Sequence, residues 1–155
     1  MKKITLKSCY AVLLLFWVVC NSTYAFAIDN PDAPDYVAEF LKRDQRYQSE
    51  NIETVSKTAG YISAYAAYEE YLDEELNKAY TSLLGHLNEN TQQKLKNSQR
   101  KWLKYRDDEF DFIGLNWNRK DFGSSFVISR GDYRTTIIKN RIILLLSYLA
   151  NYLPL

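Results

Sequence analysis

Between Thr58 and Leu87 apolar side chains return every three or four residues: Tyr61, Ala64, Tyr65, Tyr68, Leu72, Leu76, Tyr80, Leu83 and Leu87. A strand returns a side chain to the same face every second residue, so this spacing selects one long amphipathic helix. A second helix is expected from about Thr91 to Ile113. Its row is Leu95, Ser98, Trp102, Tyr105 (or Arg106), Glu109 and Ile113, with Gln99, Leu103 and Phe110 beside it. Asn90 is expected to cap it with Gln93 in the capping-box position, and Gly114 to end it. A last helix is expected from about Tyr133 to Tyr152, opened by Asp132 and stopped before Pro154. Its "IILLL" at 142–146 is apolar all round, so this helix should be the most buried. The short break at 88–90 makes the first two long helices antiparallel neighbours. Upstream, Tyr36 to about Tyr47 reads as a short helix with Val37, Phe40 and Leu41 on one face. The expected fold is all-α: a small bundle of three long helices, with a short N-terminal helix and a long connection before the last helix.

Residues 1–27 read as a signal peptide. Met1-Lys2-Lys3 is followed by the apolar run "AVLLLFWVV" at 11–19 and by Ala25-Phe26-Ala27, an A-x-A cleavage signal. Cleavage after Ala25 is the alternative. The run is shorter than the ~20 residues that span a bilayer, so no transmembrane anchor is expected after cleavage. Lipidation at Cys20 is disfavoured because Val19 stands where a small residue is wanted. Residues 28–57 form a lead-in that starts with "IDNPDAPD" and contains the short helix, and 58–153 form the helical domain. The protein is then periplasmic or secreted.

Both cysteines, Cys9 and Cys20, fall in the segment expected to be removed. No disulfide framework, cysteine nucleophile or thiolate metal site is left to the mature chain. Lys2, Lys3 and Lys7 account for three of the 20 basic residues and none of the 19 acidic ones. That leaves 17 against 19 beyond Ala27, a net of −2. Nucleic-acid binders need a basic surplus, so no nucleic-acid partner is expected. A single histidine, His86, near a helix end, supports neither a metal site nor a serine–histidine–acid arrangement, and there it complements the helix dipole. The five glycines have no phosphate-loop spacing. No cofactor, metal or catalytic residue is assigned.

The run "EEYLDEE" at 69–75 holds Glu69, Glu70, Glu74 and Glu75, read as a solvated helix face. A glycosidase acid pair would need one carboxyl in an apolar pocket. Asp73 lies one residue from the apolar row and is expected to point toward a basic partner. The connection at 114–131, "GLNWNRKDFGSSFVISRG", is long for a structureless loop, and such loops often carry function. Trp117, Arg119, Phe122 and Phe126 in it are the candidate partner-binding residues. Aromatic anchors suit recognition, and the alternative is that they tuck onto the bundle.

The order "YLDEELNKAY" (71–80), "SQRKWLKYRDDEF" (98–110), "FGSS" (122–125) and a last helix with Arg141 resembles the N-terminal domain of LprI-type lysozyme inhibitors. The shared pattern is Asp73, Leu76, Asn77 and Tyr80, then Gln99, Trp102, Arg106 and Asp107, then Arg141. It covers about residues 58–150, and its residues are read as structural. Family members carry a cysteine after the Arg-Asp pair and another early in the first long helix. Here Phe110 and, near the second place, Ala64 stand instead, so packing is expected to replace the cross-link. This makes the chain a divergent member.

The resemblance implies an exported helical domain that binds protein and is not an enzyme. The implied partner is lysozyme or another cell-wall hydrolase. The alternative is an immunity-type or adaptor protein for a different exported partner. Arg106 needs a carboxylate if it turns inward, and Asp73 is the candidate, with Asp107 serving Arg141.

Overall fold

The structure, a computed structural model, describes residues 34–152. The signal peptide, the start of the lead-in and Pro154 lie outside the described residues. Helix α1 is Tyr36–Asn51, α2 Thr58–Gly85, α3 Glu89–Asn116, α4 the single turn Arg119–Phe122, and α5 Phe126–Leu149. A 3-10 turn, Gly123–Ser125, joins the last two. No strand occurs among the described residues. The fold is a helical bundle.

Asp35 starts α1: its Oδ1 accepts from Ala38 N at 2.8 Å. The cap of α3 is Asn88, not Asn90. Its Oδ1 accepts from Thr91 N at 3.0 Å, while Gln93 reaches only Asn97. Gln92 instead donates to Leu84 O and Leu87 O, which ties the start of α3 to the exposed carbonyls at the end of α2.

The core lies between α2 and α5, which make the most extensive contact. Tyr65, Tyr68, Leu72, Leu76, Ala79 and Leu83 meet Ile138, Ile142, Leu145, Leu146 and Leu149 there. Tyr65 Oη donates to Asp132 (2.6 Å) and Arg134 pairs with Glu69 (2.7 Å) near one end, and His86 stacks on Tyr152 at the other. The two helices therefore run parallel. Gly131 fits where they approach closely, because a Cβ there would fall inside the Tyr65 ring. α1 covers the other side with Phe40, which is fully buried. "IILLL" is not buried throughout: Leu144 is 40% exposed.

α3 runs antiparallel to α2, but Ile113 is its one fully buried residue. Its sequence is largely polar, and a groove lies between it and α2. The chain at 114–131 is not a long structureless connection. α3 continues past Gly114, and α5 begins about two turns before Tyr133. Asn118 Oδ1 accepts from Lys120 N and Asp121 N to open α4. Gly123, at φ 62°, closes it with a backbone conformation few other residues adopt. Asp132 thus lies inside α5 and caps nothing.

Candidate partner-binding surface

Arg130 of α5 organises one end of the bundle. Its Nε donates to Trp117 O (2.5 Å) and its Nη2 to Gly114 O, carbonyls that α3 leaves free at its C-terminus. This clamp holds Trp117 in place. Around Trp117 lie Tyr133 (ring centroids 4.4 Å apart), Phe112 (6.0 Å, edge-on) and Phe122 (6.4 Å). Phe112, Phe122 and Tyr133 are each about half exposed, and Leu115 beside them is 81% exposed. Burial would normally claim such side chains, so an exposed aromatic cluster of this kind is a candidate recognition surface.

The four candidate partner-binding residues divide into two pairs. Trp117 and Phe122 belong to the aromatic cluster. Arg119 and Phe126 line a shallow cavity of about 330 Å³ with Thr58, Ala59 and Ile62 at the start of α2. Phe112, Leu115, Tyr133 and Ile62 were not among the sequence candidates. Phe112 and Leu115 lie off the buried row of α3, and that displacement was the available signal.

The shared-pattern residues border two further cavities. Asp73, Leu76, Asn77, Tyr80, Gln99 and Arg106 line a groove of about 560 Å³ between α2 and α3, with Lys96, Arg100 and Leu103 completing it. Trp102 and Arg141 line a second, of about 190 Å³. Arg106 does reach Asp73, at 3.5 Å, but its closer partner is Asp107, at 2.8 Å. Asp107 therefore does not serve Arg141, whose Nε donates to Gln99 Oε1 at 3.0 Å. Asp107 and Arg106 are adjacent in sequence and meet locally, whereas Arg141, on α5, meets the Gln99 and Trp102 face of α3. The Asp73 side chain is half exposed, so its pair with Arg106 contributes about 1 kcal/mol at most.

Phe110, where the resemblance implied a cysteine, packs against the core with the guanidinium carbons of Arg134 and Arg106 at 4.1 and 5.6 Å from its ring centre. Both arginines pair with α2, through Glu69 and Asp73. The acidic run is thus only partly a solvated face. Glu70 and Glu74 are exposed, but Glu75 is buried against Arg43 (2.7 Å) and Lys78 (3.0 Å) because α1 packs over it. Burial raises the Glu69 carboxyl above the ordinary carboxylate value despite Arg134. Burial also opposes ionisation of Glu75, yet its bonds from Arg43 and Lys78 outweigh that and lower it.

Among the described residues no helix is long and apolar enough to cross a membrane. No cluster of three metal-ligating His, Cys, Asp or Glu side chains occurs among them either. A small helical bundle with an exposed aromatic end is the class of protein these features define. The chain matches the family model of lysozyme inhibitor LprI over residues 49–145, and it belongs to that family. No curated protein and no solved structure matches it.

Proposed function

We propose that this protein is exported and inhibits lysozyme or another cell-wall hydrolase by presenting its aromatic end to the enzyme's cleft. The family is one of inhibitors and not of enzymes, which supports a binding role. The observation that carries the contact is the exposed group Phe112, Leu115, Phe122 and Tyr133 around the half-buried Trp117, flanked by the exposed Arg119 and Lys120. A glycan-cleaving cleft offers apolar sugar platforms and a pair of carboxylates. Aromatic rings with adjacent cations complement both, and aromatic and arginine side chains dominate the energetics of such interfaces. The Arg130 clamp holds the cluster before binding, which lowers the ordering cost.

The test is hydrolysis of cell-wall suspensions by lysozyme with the processed protein in molar excess. Inhibition is expected, and the Leu115→Asp, Arg119→Glu double variant should weaken it by roughly 30-fold or more. Hydrolysis unchanged by the wild-type protein would count against the proposal. Capture of a different exported protein from a periplasmic extract would favour the adaptor reading.

A further inference from the structure

Arg141 is 8% exposed, and among the described residues no carboxylate pairs with it. The other buried charged side chains among the described residues, Asp44 and Glu75, both have cationic partners. Arg141 has the neutral Gln99 amide on Nε and the Trp102 ring, with its guanidinium carbon 5.7 Å from the ring centre. Its Nη2 is buried with no hydrogen-bond partner. Arginine does not relieve burial by losing its proton, so the charge stays and the desolvation is uncompensated. Burial accordingly holds its pKa below the ordinary arginine value.

Arg141 is one of the residues that line the 190 Å³ cavity, with Trp102, Tyr105, Ile137, Asn140 and Leu144. None of these is acidic. The volume falls below the ~300 Å³ at which drug-sized sites begin and suits one group of side-chain size. We propose that this cavity binds a single carboxylate on a short apolar stem, with Arg141 as its counterion and Trp102, Ile137 and Leu144 around the stem. A glutamate side chain of a bound protein and a free short-chain carboxylate share that chemistry. The site is separate from the aromatic end and does not rest on the inhibitor reading, since no hydrolase takes part in its test.

The processed chain is titrated with butyrate and with butyramide at matched ionic strength, following the Arg141 Nε–H and Trp102 indole resonances and the melting temperature. Butyrate is expected to give saturable shifts and a higher Tm, and butyramide to bind at least tenfold more weakly. Acetyl-glutamate α-amide and its glutamine counterpart form the second arm. Tighter binding of the glutamate compound than of butyrate assigns the site to a protein side chain, and the reverse assigns it to a small carboxylate. Asn140→Asp puts a carboxylate on the cavity wall. It is expected to raise the ligand-free Tm and to abolish the butyrate response. A purely structural Arg141 would give no ligand-dependent shift. Equal responses to acid and amide, or a butyrate response unaltered in Asn140→Asp, would overturn the proposal.

Discussion

Asp44 accepts hydrogen bonds from Tyr68 Oη (2.5 Å) and Gln48 Nε2 (2.8 Å), with Lys139 Nζ at 3.3 Å, and is 2% exposed. Burial and this carboxylate push the Tyr68 phenol far above its ordinary value, so it remains a donor. The three partners come from α1, α2 and α5, and one carboxylate joins all three helices. Asp44→Ala strands a buried hydroxyl and frees a cation from its partner. It is expected to cost about 3 kcal/mol in urea unfolding, and Tyr68→Phe about 2 kcal/mol. Nothing in the local sequence of α1 marks Asp44 as buried, since its partners on α2 and α5 lie 24 and more positions away. Glu75 gives a pH signature. Its folded pKa lies below the ordinary 4.5, so its stabilisation is present above that value and is lost as pH falls through the folded pKa. Melts of wild type and Glu75→Gln should differ most near neutral pH and converge as pH falls below the folded pKa of Glu75. Glu69, shifted upward, contributes with the opposite sign and blunts the acid loss of the whole protein.

Among the elements, α3 is the least anchored long helix. α5 buries Ile138, Arg141, Ile142, Leu145, Leu146 and Leu149, whereas α3 buries only Ile113. Local opening follows buried apolar contact. Amides of the N-terminal half of α3 are therefore expected to exchange at least about tenfold faster than those of Leu72–Leu83 and Ile138–Leu146, measured by hydrogen exchange at neutral pH. Uniform protection across the three long helices would contradict this account. The helical period located α2 and α3 within a few residues. The element ends were less legible. Asn88 and Asn90 are equally good caps in sequence, and the choice fell to Asn88 because Gln92 then reaches the carbonyls that end α2. The early start of α5 was hidden for a related reason. "SSFVISRG" has no strong period, and Arg130 stabilises helix there by bonding to a different helix.

At the scale of the whole molecule, α1 belongs to the core although the family match begins only at residue 49. Phe40 and Asp44 close the side of α2 and α5 away from α3. A chain starting at Thr58 loses Phe40 burial worth about 3–5 kcal/mol and uncovers Tyr68 and Glu75. It is expected to lose its cooperative melt and near-ultraviolet circular dichroism. A native-like melt would show that α1 is dispensable. Periodicity and residue chemistry alone determined that the chain is a helical bundle, that "IILLL" enters its core, and that Arg106 meets Asp73. These depend on local spacing or on one antiparallel pairing that a short turn enforces. Tertiary structure alone decided which carboxylates are buried, that a groove lies between α2 and α3, that Trp117 is clamped at an exposed aromatic end, and that Arg141 lacks a counterion among the described residues. Each of these depends on which side chains from distant positions arrive at one point, and helical period specifies a face but not what stands opposite it.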